Sequence, residues 1–229
     1  MAKNYFKSYI WLLETLQSRG PLTLAQIKDL WSRSSVNEVG SEPSNHRFLT
    51  DIIRAIRDER MLEVNYQGFT MDAPRDFLLE PFCLKEYKRR WYLFARKHGI
   101  DKEPHSFALD RMNIVTVSET SFTVPKSFAQ TFFSTRYGVL QYEGEKPAQI
   151  KLKVCARQAN YFRTLPLHSS QKEVEKTAEY SIFTYYLTPN YDFIHDVLYY
   201  ADDVEAIEPT SLRDTFETIT SNINRKYNG

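Results

Sequence analysis

The sequence predicts an α+β chain in three parts: a helical N-terminal segment, a small β-barrel and a C-terminal β-α-β-β-α-β domain. Three observations predict it. Apolar residues recur at helical spacing up to Arg60. From Leu62 the period switches to two, and five short strand patterns follow before Pro125. After Ile150, strand and helix patterns alternate in the order of a split β-α-β unit. The parts read as 1–40 helical, 41–60 linker and connecting helix, 61–125 barrel, 126–146 connector and 147–229 C-terminal domain.

Composition sets the first bounds. The 229 residues are 42% hydrophobic and 14% aromatic, enough to build cores, which excludes a disordered tail. A formal net charge of +1 gives little overall field, so any phosphate or nucleic-acid site must be a local patch. Cys83 and Cys155 each sit in an apolar run and read as reduced, buried thiols. Glu14 and Gln17 interrupt the apolar N-terminal positions, which argues against a signal peptide. No run approaches the ~18 apolar residues of a membrane span. The expectation is a soluble, cytoplasmic protein with no membrane partner.

In the helical segment, Phe6, Tyr9, Ile10, Leu13 and Leu16 fall at helical spacing, and Gly20-Pro21 ends the run. Thr23 with Gln26 forms a capping box, with Leu22 as its hydrophobic staple, and a second helix carries Ile27, Leu30 and Trp31. Such a pair is how a helix-turn-helix begins. A recognition helix should follow at once, but Ser32 to Asn45 is a polar linker. The next helix carries Leu49, Ile52, Ile53 and Ile56, and its arginines 47, 54, 57 and 60 are nearly cancelled by Asp51, Asp58 and Glu59. The segment reads as a partial helix-turn-helix with its DNA-reading part truncated, so duplex DNA is a doubtful partner.

The barrel begins where Leu62, Val64 and Tyr66 alternate with Glu63, Asn65 and Gln67, ending at Gly68. Further strands are expected at Phe77–Leu84, Trp91–Arg96, Ser106–Leu109 and Ile114–Val117. Asp72-Ala73-Pro74, Lys85–Arg90 and His98–Pro104 form the turns between them. Five short strands in so little chain suit a strongly bent barrel. In the last part, Ile150, Leu152 and Val154 alternate with lysines, a helix runs from Ala159 to Leu165, and strands follow at Glu173–Lys176 and Tyr180–Leu187. A helix capped by Asn190 (Phe193, Ile194, Val197, Leu198) and a strand Val204–Ile207 complete a ferredoxin-like order. A final helix after Pro209 carries Leu212, Phe216, Ile219 and Ile223 as one stripe.

The chemistry concentrates in Lys88-Arg89-Arg90-Trp91-Tyr92-Leu93-Phe94-Ala95-Arg96 and in His105-Ser106-Phe107-Ala108-Leu109-Asp110-Arg111. Cations interleaved with aromatic rings can hold an anion or a stacked base. Arg111 has two readings, a bidentate or stacking contact to a ligand or an Asp110–Arg111 role in the barrel turn. Trp91 and Leu93 share a core face, and Tyr92 and Phe94 point the other way, toward a groove. Tyr66 reads either as a stacking or hydroxyl contact or as a core tyrosine. Lys85, Lys88, Arg89 and Arg90 are read more readily as a solvated hairpin tip than as a site, and Lys151 and Lys153 as facing water.

Catalysis finds no support. There is no Gly-x-Ser-x-Gly elbow or phosphate-cradling loop among only seven glycines. The histidines at 46, 98, 105, 168 and 195 lack metal-ligand spacing, and Asp192 suits a helix N-terminus without a metal. No enzyme activity, metal or cofactor is expected.

The order Trp91-Tyr92-Leu93, then Leu109-Asp110-Arg111, resembles the WYL family of bacterial ligand-sensing transcriptional regulators, and Met61 to Val117 follows that pattern. Leu165-Pro166-Leu167-His168 and Glu208-Pro209 resemble the WCX extension that accompanies it. The resemblance implies an Sm-like barrel whose groove uses Arg111, with Tyr66, Gly68, Arg90, Tyr92, His105 and Phe107 as further ligand-binding residues. The aromatic residues interleaved with arginine point to a nucleotide, single-stranded oligonucleotide or other anionic effector, and the stripe on the last helix with the edges of a ferredoxin-like sheet to a homodimer. Two positions depart from the pattern: His105 stands where the family has an arginine, and Gly68 where it has a small hydroxyl residue. His105 would keep a donor that titrates near neutrality, and Gly68 would keep room without the hydroxyl. The alternative is an interaction module that does not bind DNA and partners a full-length regulator.

Overall fold

The computed structural model describes residues 24–34, 44–140 and 144–228, together with Trp11, Thr15 and Arg19. The first helical face, the Gly20-Pro21 stop, the Leu22–Thr23 end of the capping motif and linker residues 35–43 lie outside the described residues. The chain divides into two compact units, Met1–Ile52 and Ile53–Gly229.

In the first unit, helix α1 (Leu24–Ser32) presents Trp31 to the helical residue Trp11, ring edge to ring face at 4.8 Å. Helix α2 (Ser44–Arg57) runs across the division at Ile52 and starts earlier than the linker reading allowed, taking in Ser44 and Asn45. Its stripe is also narrower than expected. Ile52 and Ala55 are buried, whereas Ile53 is 51% exposed. The reason is geometric: neighbouring residues lie about 100° apart around a helix, so Ile52 and Ile53 cannot share a narrow face.

The second unit carries two antiparallel sheets. The first contains β1 (Arg60–Tyr66), β2 (Arg75–Tyr87), β3 (Arg90–Lys97), β4 (His105–Ala108) and β5 (Met112–Ser121), in the order β4-β3-β2-β1-β5. Leu62, Val64 and Tyr66 are buried and Glu63 is exposed, the alternation that the period of two encodes. Leu62 pairs with Leu79 on one side and Val117 on the other, fixing the register in the sheet interior. β2 is longer than expected and contains Pro81, which a regular central strand would not tolerate. The β2–β3 register shifts between Pro81 and Cys83, so the proline sits at an irregularity where a ladder bond is already lost.

The expected turn Lys85–Arg90 contracts to Lys88-Arg89, both at positive φ (48° and 65°). The other face of β3 carries the first packing correction. Phe94, expected to face a groove, is 0% exposed, its ring 4.9 Å from Phe133 and 5.6 Å from Phe132. Those rings belong to the connector helix α3 (Phe128–Phe133), and Cys83, Tyr87 and Tyr92 pack against the same cluster. Burial pushes the Cys83 thiol up to about 11, so it stays protonated and inert at neutral pH.

The second sheet contains β6 (Ala148–Cys155), β7 (Lys172–Lys176), β8 (Tyr180–Leu187) and β9 (Val204–Glu208), in the order β7-β8-β6-β9. Helix α4 (Ala156–Thr164) follows β6, α5 (Tyr191–Leu198) follows β8, and α6 (Thr210–Asn228) follows β9. Ile150, Leu152, Val154, Phe162, Phe183, Tyr185, Leu187 and Phe193 form their common core. At about 1.5–3 kcal/mol per buried large side chain, this cluster is a main stabilising block of the unit. Asn190 caps α5 as expected, its side-chain oxygen accepting from Phe193 N–H at 3.1 Å. Lys151 and Lys153 do not simply face water: Lys151 pairs with Glu208 at 2.8 Å and Lys153 lies over the Tyr180 ring. On α6 only Leu212 is buried, and the stripe is progressively exposed toward Ile223. No helix among the described residues is long and apolar enough to cross a membrane.

One buried acid ties the first sheet together. Glu80 on β2 is 5% exposed and accepts from Arg96 Nε and Nη2 on β3 at 2.8 and 2.5 Å, and from His98 Nδ1 at 2.7 Å. Burial opposes its ionisation, but the His98 and Arg96 hydrogen bonds outweigh that and hold the carboxyl below its ordinary value of 4.5. Its stabilising contribution is therefore complete above about 4.5 and is lost as the pH falls through the lower folded value. Glu80→Gln is expected to lose roughly 1–3 kcal/mol at neutral pH, with the gap from wild type closing in acid. Urea denaturation of both proteins across the acid range checks this.

Candidate functional site

The loop after β1 and the 3-10 turn Leu109–Arg111 between β4 and β5 meet at one corner of the first sheet. The turn is closed by Met112 N–H donating to Leu109 O, and Gln67 N–H donates to Arg111 O at 3.1 Å. The backbone of Arg111 is thus structural. Its side chain is not part of that framework. The guanidinium lies over the ring of Phe69, 3.7 Å from the centroid, and Phe69 is itself 80% exposed. Arg111 Nε is buried with no hydrogen-bond partner. A buried donor without an acceptor is costly.

Beneath this corner, Tyr66 and Phe107 stack edge to face at 5.3 Å, and Phe77 lies 6.3 Å from Phe107. Both Tyr66 and Phe107 are buried, so they form the floor of the site. Gly68 lies between Tyr66 and Phe69 in the chain. A Cβ added there would meet Met71 Sδ and the Tyr66 ring at ordinary contact distances, so the glycine leaves room without being sterically required.

Tyr92 pairs with Ala108 across the β3–β4 ladder, immediately before the Arg111 turn. Burial raises the Tyr92 phenol; Arg90 and Arg111 oppose that rise, and Asp110 adds to it. The phenol therefore sits in the field of both arginines. Arg90 reaches Asp110 at 3.2 Å, both half exposed. An exposed pair of this kind contributes about 0–1 kcal/mol, so an anionic ligand can take Arg90 from Asp110 at little cost. Asp110 makes no side-chain cap in this turn and pairs with Arg90 instead, a contact between β3 and the turn.

The structure thus brings together Tyr66, Gly68, Arg90, Tyr92, Phe107 and Arg111 around one turn. It does not bring His105 to them. His105 starts β4, at the opposite end of that strand, with Nε2 3.9 Å from Asp101 Oδ2. Sequence reasoning missed Phe69, although an aromatic residue directly after Gly68 in a polar loop was the available signal. An open groove elsewhere on the sheet runs over Asn65, Asp76, Ile114 and Thr116. Two of its polar side chains, Asn65 and Asp76, are already engaged, since Asn113 donates to Asn65 at 2.9 Å and Asn65 to Asp76 at 2.6 Å. Among the described residues no cluster of three His, Cys, Asp or Glu could hold a metal ion.

The family described as "WYL domain" matches residues 47–117, a span that includes every residue of this corner. Among solved structures, proteasome accessory factor B/C of Arthrobacter aurescens aligns over 79% of this chain and 27% of its own, at 18% identity and a TM-score of 0.33. A structure described as a CRISPR Cas-related protein aligns over 81% of this chain and 52% of its own, at 15% identity and a TM-score of 0.48. The chain therefore spans about a quarter and about half of these two structures. No curated protein matches it.

The geometry separates residues packed into the sheet from residues at its surface. Phe107→Ala is expected to cost about 3–5 kcal/mol, as buried aromatic truncations do. Arg111→Ala is expected to cost about 1 kcal/mol or less, since only an exposed cation–π contact is lost. Thermal melts of the two variants beside wild type measure the contrast.

Proposed function

We propose that this chain is a ligand-sensing WYL-domain transcriptional regulator whose effector is a nucleotide, a single-stranded oligonucleotide or another anion bearing a planar ring. The observation that carries the reading is the Arg111 guanidinium, with Nε buried and unpartnered, lying on the exposed ring of Phe69. A phosphate accepts from such a guanidinium in a fork, and a base stacks on the open aromatic face. Arg90 and Tyr92 add a second cation and a hydroxyl at the same corner. In this reading the first sheet is an Sm-like barrel and the second, in its β7-β8-β6-β9 order, is a ferredoxin-like WCX domain.

Duplex DNA fits less well. Arg57, in the last turn of α2, is engaged by Asp58 through bonds of 2.7 and 2.8 Å, leaving less charge for phosphates. Titration in low salt with short single-stranded DNA and RNA, cyclic nucleotides and duplex DNA is expected to give saturable binding of the single strands or nucleotides and weaker binding of the duplex. Arg111→Ala is expected to weaken that binding tenfold or more, as loss of a charge-assisted bond of about 1.5–3 kcal/mol implies. Absence of saturable binding to every single-stranded or nucleotide probe would overturn the effector assignment.

A homodimer is the second part of the proposal, and the C-terminal domain supports it. Ile223 is 48% and Tyr227 84% exposed on α6, and the edge strand β7 is exposed along its whole length. Such surfaces invite a two-fold partner. Light scattering at micromolar concentration is expected to give twice the chain mass; a monomer at all concentrations would refute it, leaving the interaction-module reading without its best support.

A further inference from the structure

The β2–β3 hairpin and the connector are gripped by a single helix of the second sheet. On α5, the Asp196 carboxylate receives three donors: Tyr87 Oη at 2.8 Å, Tyr137 Oη at 3.0 Å and Lys88 Nζ at 2.7 Å. One turn earlier, Asp192 Oδ2 accepts from Val139 N–H and Leu140 N–H at 2.8 and 2.9 Å. Asn190 Nδ2 donates to Tyr137 O and Leu140 O at 2.8 and 2.7 Å, and Lys85 Nζ donates to Gly138 O at 2.7 Å. Gly138 has φ +60°, and a Cβ there would come within 2.2 Å of Asp192 Oδ2, so glycine is required where the connector passes.

The gripped hairpin leads straight to the candidate site. Lys88 and Arg89 both adopt left-handed backbone without being glycine, a turn geometry that ordinarily calls for Asn-Gly, so outside contacts hold it. Arg90 follows at once and pairs with Asp110 beside Arg111; Tyr92 pairs with Ala108 at the start of the same turn. A continuous chain of contacts therefore runs from α5 through Lys88 and Arg90 to the turn that carries Arg111.

We propose that α5 acts as a clamp, with Asp196 as its positioning residue, which couples the docking of the C-terminal domain to the geometry of the Arg111 turn. Any ligand that draws Arg90 away from Asp110 pulls on the same hairpin that Asp196 holds, so site and clamp exert reciprocal effects. The effector half of this inference rests on the reading under Proposed function; the mechanical half needs no ligand.

Hydrogen exchange of the full chain without ligand tests the mechanical half. Asp196→Asn keeps the size and one acceptor but removes the charge that holds Lys88. Amides of 105–112 are expected to exchange at least about threefold faster than in wild type, with Asp196→Glu restoring part of the protection and the exposed-turn variant Arg89→Ala leaving it unchanged. Faster exchange confined to 87–92, 137–140 and α5, with 105–112 as in wild type, overturns the proposal. Should Asp196→Asn fail to fold, Lys88→Ala and Tyr87→Phe each release one arm and are read the same way. With 5′-phosphorylated hexathymidylate as probe, Asp196→Asn is expected to change affinity at least about threefold. Equal affinity in both proteins defeats the coupling. No binding by wild type removes the oligonucleotide reading alone, and the exchange measurement still decides the clamp.

Discussion

The grip of α5 on the connector is the constraint on which the arrangement of the second unit depends. Asp192 is a carboxylate only 6% exposed, and burying such a charge is unfavourable unless donors surround it. Here the donors are the consecutive backbone N–H groups of Val139 and Leu140. Neither side would be stable alone in that position: the carboxylate would be stranded, and the connector backbone would be left with buried unpaired groups. Together they fix where the chain goes after α3. That in turn fixes the rings of Phe128, Phe132 and Phe133, which close over Phe94 and cover one face of the first sheet.

With one face of β3 covered, the proposed effector reading falls on the corner where β1 ends and β5 begins. The corner offers an exposed ring, a guanidinium 3.7 Å over its centroid and a second arginine held by a weak surface pair. Shallow, cationic and aromatic surfaces favour stacking and charge-assisted bonds over shape enclosure. The floor of Tyr66 and Phe107 contributes rigidity, so the guanidinium is presented from a packed base. A ligand would therefore gain most from Arg111, and truncating the floor would damage the fold before it damaged recognition.

Much of this was legible in the sequence. The period of two placed Leu62, Val64 and Tyr66 inside and Glu63 outside, because side-chain alternation in a strand is purely local. Asn190 was readable as a cap for the same reason: its bond to Phe193 N–H spans three residues. The strand-helix order of the C-terminal half followed from periodicity and turn residues. Arg111, Arg90 and Tyr92 lie at one corner, whereas His105, singled out because the resembled family has an arginine at its position, stands at the opposite end of β4. Phe69 was missed because a single aromatic residue in a loop has no periodicity to expose it.

The sequence by itself determined which segments form strands and helices, which face of each is apolar, and that cations and aromatics crowd one stretch of chain. These are properties of neighbours within a few residues, and backbone geometry converts them directly into structure. Tertiary structure alone decided that Phe94 is covered, that Arg111 rests on Phe69, and that Tyr87 meets Asp196 across 109 residues of chain. An apolar or charged side chain encodes a need for a partner but not its identity. Packing chooses among distant candidates by whether shape, charge and hydrogen bonds can all be satisfied at once.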